Sequence, residues 1–355
     1  MSMVRYIGVD AHLQSGTFAV MGPSGRRLKE QVVETNGRAF KAFLLSFAGE
    51  KHICLEEGEL SEWLYELFVP LAKRVVVVQP EKRKGPKSDS IDAWALAELL
   101  RTKKRATVVY KAPGAFSGLK EAVYAHRAMT QDAVRSKNRL KAVFRTRGLH
   151  GFGQQLYAPE SRQPWLEKLS PTRRLRAAVY AEQLDSQLAM LKRAEAWLQQ
   201  EAKACPIIKV LTTAPGIGLV RGSQVVATVI TPHRFRTKRQ FWAYCGLAVV
   251  DRSSSDWEPW KKGGLRRKRK RQTRGLNRNR NPLLKMVFKG AATTVTQSLP
   301  DNPLGQNYRR NVEEEKMDPA MARLTLARQI AAIVLAMWKK QEVYDPARYP
   351  RSKTA

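Results

Sequence analysis

The sequence predicts an α/β domain at the amino-terminal end, followed by a mostly helical region. Within about the first 110 residues, short apolar runs broken by Gly, Ser and Pro alternate with segments of helical apolar spacing. Beyond about residue 115 the chain becomes rich in Ala, Leu, Lys and Arg, again with helical spacing. With 355 residues, the chain is long enough for two or three domains that each bury a core of their own.

Eight elements are predicted in the amino-terminal region. One-sided apolar spacing predicts helices, such as the one that places Phe40, Phe43 and Leu44 on a single face. Ser88 suits the N-cap of the last of them. In chain order the elements are strands at 4–11, 16–21 and 27–35, a helix at 36–47, a strand at 52–56, a helix at 60–71, a strand at 75–78 and a helix from 88 to about 103. This order is the ribonuclease H-like arrangement.

Two long helices are predicted next, at about 115–147 and 172–204. The second has the spacing of a coiled-coil seam at Leu184, Leu188, Leu191 and Leu198. The two helices therefore form either an antiparallel hairpin or a dimerisation arm. The intervening segment 148–165 contains Gly and Pro and is predicted to be a tip or a loop.

The last third of the chain is also predicted to be mainly helical. Two apolar helices flank a Pro-Gly-Ile-Gly turn at 215–218, which resembles a helix-hairpin-helix turn. Further along come a helix at 237–245, a Ser-rich loop at 253–255, a basic stretch at 261–281 with eleven Lys or Arg and no acid, and a helix at 319–340. The predicted domains are 1–110, 111–204 and 205–342, with a flexible tail at 343–355.

Charge and cysteine usage limit the class of protein. A net charge of +33 favours a polyanionic partner, and nucleic acid is the first expectation. The three cysteines have no paired spacing, which predicts reduced, buried thiols and no structural zinc. We find no apolar run of the roughly 18 to 20 residues that a membrane span requires and no signal peptide. A soluble protein of the cytosol is expected.

Four acids stand out in a chain with 31 acidic against 64 basic residues. Asp10 and Glu56 end predicted strands, and Asp89 and Asp92 share the first turn of a helix, where side chains three positions apart are neighbours. Hard oxygen ligands suit Mg²⁺ or Mn²⁺, and such ions assist the cutting of phosphodiesters. We therefore predict a metal site, although each acid alone could serve as a cap, a dipole partner or a solvated group.

Other candidate site residues leave alternatives open. Glu57 competes with Glu56, because consecutive residues of a strand point to opposite faces. His12 is a further candidate ligand or base, although a lone His at such a place is more often solvated. The serines at 253–255 have no local general base. The glycines of the Pro-Gly-Ile-Gly turn suit phosphate contact or a plain connection between helices, and the basic stretch favours phosphate contact.

Six segments resemble the DEDD-type insertion-sequence transposases, a group that includes the bridge-RNA-guided recombinases. They are GVDAH, CLEEGELSEWL, KSDSIDA, APGIG, RFRTKRQFWAYCGLA and RGLNRNRNPLLK, in the family's order and spacing between about residues 4 and 340. The resemblance implies a RuvC-like domain with four metal-binding acids, a coiled coil, and a carboxy-terminal transposase domain with a catalytic serine that forms a covalent phosphoserine with DNA.

Carried over residue by residue, the resemblance assigns the four acids to Asp10, Glu56, Asp89 and Asp92 and the nucleophile to Ser254. The glycine that usually follows this serine is replaced by Ser255, so Ser253 and Ser255 remain alternatives. The expected nucleic-acid-binding residues are Pro215, Gly216, Gly218, Arg252, Lys268, Arg269, Lys270, Arg271, Arg274, Arg280, Asn281 and Lys285. At Arg280 and Lys285 this sequence departs from the family's Gly and Arg.

The expected function is that of a site-specific recombinase that moves an insertion sequence by serine-mediated strand exchange. The expected partners are donor and target DNA, a guide RNA implied by the resemblance alone, and further copies of the chain in a dimer or tetramer. No membrane is involved, and the expected location is the prokaryotic cytoplasm near the nucleoid. The alternatives are a RuvC-like endonuclease or junction resolvase without serine chemistry, and a non-catalytic nucleic-acid-binding protein.

Overall fold

The chain forms two compact units in the computed structural model, Met1–Ala115 and Phe116–Ala355. The residues described are 3–80, 88–104, 106–112, 114–251, 257–259, 263–267 and 273–348. The first unit is a mixed α/β domain and the second is mostly helical, as the sequence predicts. The predicted boundaries at residues 110, 204 and 342 stay predictions.

The first unit is built on a six-stranded sheet. Its strands are β1 (Val4–Ala11), β2 (Ser15–Met21), β3 (Arg27–Glu34), β4 (Glu50–Glu56), β5 (Arg74–Val78) and β6 (Val108–Val109), in the spatial order β3-β2-β1-β4-β5-β6. The first three strands form an antiparallel meander, and β4 and β5 run parallel to β1. The antiparallel β6 was not predicted, because two residues are too few to establish a periodicity.

Three helices complete this unit, α1 (Gly37–Leu45), α2 (Ser61–Phe68) and α3 (Asp89–Thr102). One face of the sheet carries an aromatic core in which Phe18 contacts Phe40, Phe43 and Phe68. On the other face α3 lies directly against β1, since a Cβ at Gly8 would be 1.9 Å from the Ala93 carbonyl oxygen. The missing side chain of Gly8 thus allows the close approach of α3 to β1.

The long helices of the second unit are α4 (Ser117–Arg145) and α6 (Pro171–Lys203). They pack antiparallel, because His126 Nε2 lies 3.7 Å from Glu195 Oε1, and farther along α4 the guanidinium of Arg139 donates to Gln183 at 3.4 Å. The hairpin alternative is thereby confirmed within one chain, and a role in dimerisation stays a prediction.

The prediction of a simple tip or loop at 148–165 is wrong in part. This segment contains a 3-10 turn at Gln155–Tyr157 and the start of helix α5 (Pro159–Leu166), which begins with a proline at its first turn. Phe144, Phe152 and Leu156 belong to a separate small core at this end of the hairpin. Gly and Pro signals mark a break in the chain, but they do not exclude a short helix that tertiary packing stabilises.

The remaining helices form a common core with the base of the hairpin. They are α7 (Pro206–Leu211), α8 (Leu219–Val229), α9 (Lys238–Tyr244), α10 (Pro282–Ser298), α11 (Pro303–Glu313) and α12 (Pro319–Lys340). Short strands β7 (Val249–Asp251) and β10 (Thr273–Leu276) pair with each other, as do β8 (Trp257–Pro259) and β9 (Leu265–Arg267). The strands and helices α10 and α11 were absent from the prediction.

Two predictions about composition can be compared with this core. Cys54, Cys205 and Cys245 are buried free thiols, as expected. By length and hydropathy, α12 is the one candidate for a membrane span among the described helices, and half of its apolar window is buried. Leu326, Ile330 and other residues of this helix belong to the core of the second unit, so we interpret it as a core helix.

In the predicted tail, Tyr344 packs against this core, while residues 349–355 lie outside the described chain.

Candidate metal centre

All four predicted acids line one open cleft in the first unit, with a volume of about 790 Å³. Asp10 lies near the carboxyl end of β1 and Glu56 ends the adjacent parallel strand β4. The first turn of α3 contributes Asp89 and Asp92, and the Ser88 hydroxyl accepts from the Ile91 N–H at 3.3 Å to fix the start of that helix. Local strand and helix signals therefore place acids from three distant parts of the sequence around one cleft.

The closest approach within the cleft involves Asp10, His12 and Asp89. His12 Nε2 lies 3.5 Å from Asp10 Oδ2 and 3.6 Å from Asp89 Oδ1. One ligand atom from each of the three residues lies within 4.8 Å of the others, and no other group of this kind occurs among the described residues. His12 therefore lies beside the acids as a candidate ligand, and its side chain is 57% exposed, in agreement with the solvated side chain that the sequence favoured. A lone His after a strand gave too weak a signal to predict this contact.

The electrostatics of Asp10 indicate a site that suits a cation. Burial raises the pKa of its carboxyl above the ordinary value, and the nearby Asp89 and Asp92 carboxylates raise it further, while His12 acts in the opposite direction. Crowded carboxylates disfavour one another's charge, and a divalent cation between them relieves that repulsion. Carboxylate oxygens suit Mg²⁺ and Mn²⁺, so these residues fit the expected ion.

Glu56 and Glu57 both line the cleft, but Glu57 has other partners. Its Oε1 accepts from Lys111 Nζ at 3.1 Å, and the same ammonium lies 3.1 Å from the Ser61 hydroxyl. Its backbone N–H extends the pairing with β5 by donating to the Val78 carbonyl at 2.8 Å. The Glu57 carboxylate is therefore held by Lys111 at the edge of the cleft. The choice of Glu56 over Glu57 as a metal ligand stays a prediction.

The predicted nucleophile lies outside the described residues. So do its alternatives, Arg252 and part of the basic stretch. The predicted site residues concerned are Ser253, Ser254, Ser255, Arg252, Lys268, Arg269, Lys270 and Arg271. Arg274 lies in β10. The predicted contact of the serine with the acidic cleft therefore stays a prediction.

Three other predicted nucleic-acid ligands surround the start of α10. Asn281 is its N-cap, and its side-chain oxygen accepts from the Leu284 N–H at 3.0 Å. Arg280 donates to the Asn277 carbonyl at 3.2 Å. Burial lowers the pKa of Lys285 below its ordinary value, and the positive charges of Arg280 and Lys289 lower it further. Asn281 thus has a structural role, while the neighbouring cations form a locally repulsive group that phosphate would stabilise.

The Pro-Gly-Ile-Gly turn connects α7 to α8. Gly216 has φ of 75°, and a Cβ there would lie 2.5 Å from the Ala291 carbonyl oxygen of α10, so this position requires glycine. Pro215 is buried, and Gly218 is the N-cap of α8. Sequence reasoning missed Arg221, whose Nη1 donates to the Gly216 carbonyl at 2.7 Å and to the Thr294 hydroxyl at 2.9 Å. An arginine in an apolar helix gives no sequence signal for such a contact.

Comparison with known families gives two matches. A DEDD transposase model of the IS110 type, described as a transposase, matches residues 7–147 and includes the acidic cleft. A model described as the transposase IS116/IS110/IS902 family matches residues 208–300 and includes the Pro-Gly-Ile-Gly turn. No curated protein sequence matches the chain. The two matches follow each other in chain order and support a transposase of an insertion sequence.

Proposed function

We propose that this chain, which matches two transposase family models, is a site-specific DNA recombinase with serine chemistry and a RuvC-like metal site. The observation that carries the metal-dependent part is the convergence of Asp10, Glu56, Asp89 and Asp92 on one cleft. The serine part rests on the sequence resemblance.

In the proposed site, Asp10 and Asp89 hold a divalent cation, with Glu56 and Asp92 as further ligands. When bound, Mg²⁺ or Mn²⁺ would neutralise charge that develops on the phosphate. His12 contacts both Asp10 and Asp89, at 3.5 and 3.6 Å, and orients their carboxylates. Lys111 holds Glu57 at 3.1 Å, away from competition with Glu56. These contacts preorganise the acids before DNA binds.

In the proposed reaction, the Ser254 hydroxyl oxygen forms a bond to a DNA phosphorus while the bond from that phosphorus to a deoxyribose oxygen breaks. The serine loses its proton and the departing deoxyribose oxygen gains one, so charge is balanced. The phosphoserine retains a phosphodiester linkage. A hydroxyl of another DNA strand then attacks the same phosphorus and releases the serine, which joins the strands in a new arrangement without an external energy source.

The test is a comparison of Ser254→Ala with the neighbouring variants Ser253→Ala and Ser255→Ala. Purified protein is incubated with donor and target DNA and Mg²⁺, denatured, and examined for protein that remains attached to DNA. We expect Ser254→Ala to lose both the adduct and strand exchange, while the two neighbours retain them. Retention of the adduct in Ser254→Ala and its loss in a neighbour would reassign the nucleophile to that neighbour.

The alternative of a RuvC-like endonuclease or resolvase is favoured by the same cleft, because metal-dependent hydrolysis requires the acids and no serine. Under that alternative all three serine variants cut DNA and no adduct forms. Asp10→Asn separates both enzymes from a non-catalytic binding protein. We expect it to abolish cutting while DNA affinity stays within about twofold, since one acid contributes little to a field dominated by phosphate contacts.

The guide RNA, the dimer or tetramer and the nucleoid location are parts of the same proposal. The net charge of +33 is compatible with RNA as well as DNA. Sequencing of RNA that copurifies with the protein from its native locus tests the guide. We expect to find an RNA that is encoded beside the gene. The guide is contradicted if no RNA is enriched and the protein still has full recombination activity.

A further inference from the structure

A second cavity lies wholly within the second unit, between α6, the start of α8 and α10. Its volume of about 640 Å³ is in the range of sites for small ligands. Leu198 and Val287 supply apolar surface, and Arg221 and Gln224 supply polar groups. The acids of the candidate metal centre do not line it.

One end of this cavity has the properties of an anion site. Helix α8 has 11 residues and starts there, with Gly218 as an N-cap that provides no side-chain hydrogen bond. The N–H groups of its first turn therefore lack an intrahelical acceptor, and they carry the positive end of the helix dipole. A Cβ at Gly218 would meet no atom within 4 Å, so the space before the helix is open.

Arg221 places a full positive charge at the same end. The partners of its guanidinium are neutral, the Gly216 carbonyl at 2.7 Å and the Thr294 hydroxyl at 2.9 Å. Burial lowers its pKa, and within the described chain it forms no ion pair with a carboxylate. Glu195, which also lines the cavity, lies 3.7 Å from His126 instead. A partly buried cation without a carboxylate is stabilised by a bound anion.

Gln224 is an independent indication of a ligand. Gln224 is 7% exposed and lines the cavity. Its side-chain amide has no hydrogen-bond partner among the residues that the structure describes. The amide atoms keep some accessible surface in the cavity, where they offer one donor and one acceptor group to a ligand. That pairing suits the edge of a nucleobase, because a glutamine amide can contact two adjacent base atoms at once.

We propose that this cavity binds a single unstacked nucleotide. The phosphate contacts the start of α8 beside Arg221, the base lies against Leu198 and Val287, and the base edge pairs with the Gln224 amide. An unstacked base is accessible in a single strand, or in a duplex from which it has been extruded. The site would hold a DNA or RNA strand in place, a role that goes beyond strand cutting and requires neither the serine nor the metal.

The proposal is tested by titrating the full-length protein, in EDTA, with dAMP, AMP and inorganic phosphate, using calorimetry. Inorganic phosphate reports contacts that any basic surface makes, so the difference between nucleotide and phosphate isolates the base. We expect wild-type protein to bind at least one nucleotide about tenfold or more tightly than phosphate. A preference for dAMP indicates DNA, a preference for AMP indicates RNA, and either result supports the site.

Two variants locate the binding. Gln224→Leu removes the amide with little change in volume, and we expect it to weaken nucleotide binding about tenfold while phosphate affinity stays unchanged. Met286→Trp fills the cavity from an exposed position, since Met286 is 53% exposed, and we expect nucleotide binding to be lost. Gln200→Leu, an exposed glutamine on α6 that does not line the cavity, is the matched control.

The proposal is overturned if wild-type protein binds nucleotide and phosphate equally, or if Gln224→Leu and Met286→Trp both bind nucleotide like the control. Circular dichroism of each variant establishes that it is folded. This equilibrium experiment is independent of the adduct experiment on Ser254. If wild-type protein forms the DNA adduct but does not bind nucleotide, the nucleotide site is wrong and the serine chemistry stands. If it binds nucleotide but forms no adduct, the serine chemistry is wrong and the nucleotide site stands.

Discussion

A side chain at Gly8 should disrupt the acidic cleft without altering any of its acids. A Cβ there would lie 1.9 Å from the Ala93 carbonyl oxygen and 2.6 Å from the Ala97 nitrogen, both backbone atoms of α3. Because ordinary contact begins near 3.4 Å, the helix must move outward by about 1.5 Å, or the strand must distort. Asp89 and Asp92 lie in the first turn of this helix and would move away from Asp10.

Overpacking of this kind destabilises by about 1 to 3 kcal/mol, which lowers the melting temperature by roughly 5 to 15 °C for a domain of this size. A misplacement of about 1 Å lowers catalytic rates by about a hundredfold. The assays are thermal unfolding of Gly8→Ala with and without Mg²⁺, and DNA cutting. We expect a lower melting temperature, a smaller stabilisation by Mg²⁺ and a large loss of cutting.

Gly58→Ala is the matched control, because Gly58 lines the same cleft and a Cβ there meets no atom within 4 Å. It should behave like the wild-type protein. If Gly8→Ala gains as much stability from Mg²⁺ as Gly58→Ala and cuts DNA equally well, the close approach of α3 to β1 does not position the acids.

Three further predictions concern stability and thiol chemistry. The buried guanidinium of Arg162 contacts the Asp185 carboxylate at 2.7 Å through two nitrogens, and Asp185→Ala removes that carboxylate. We expect this variant to lose about 3 to 5 kcal/mol of unfolding free energy, measured with denaturant. The control Asp132→Ala, at an exposed ion pair, should lose at most about 1 kcal/mol. Asn281→Ala removes the N-cap of α10 and should cost about 1 kcal/mol in the same assay, and an unchanged midpoint would contradict the capping role. Burial, and to a lesser extent Glu56, raises the pKa of Cys54 to about 12. This thiol should therefore resist alkylation at pH 8 in the native protein, as measured by mass spectrometry. Rapid labelling of the native protein at Cys54 would contradict its burial.

The sequence predicted the elements of the first unit well because each carries a local signal. Phe40, Phe43 and Leu44 mark one face of α1, and the N-caps Asn36 and Ser88 mark where α1 and α3 begin. Strand ends and a helix start were enough to predict that these four acids line one cleft. This prediction depended on the alternation of strands and helices and required no knowledge of distances.

The features that escaped prediction depend on contacts between distant segments. The sequence left His12 open as a candidate ligand or base, and it did not predict that His12 contacts both Asp10 and Asp89, which follows because β1 ends beside the first turn of α3. Arg221 contacts Thr294, 73 positions away. Helix α5 contains Pro164, which local propensity disfavours, and a small core at the end of the hairpin stabilises it. In each case tertiary packing outweighs the local signal.

The distribution of charge suggests how binding and chemistry are separated in this protein. A net charge of +33 favours a polyanionic partner such as DNA, whereas Asp10, Glu56, Asp89 and Asp92 line the cleft. Phosphate is repelled from that cleft until a cation neutralises the acids, so DNA can bind elsewhere on the protein while the cleft remains closed to it. In the proposed function, the affinity for DNA therefore depends on the basic residues and the salt concentration, and the cutting of DNA depends on the acids and the metal.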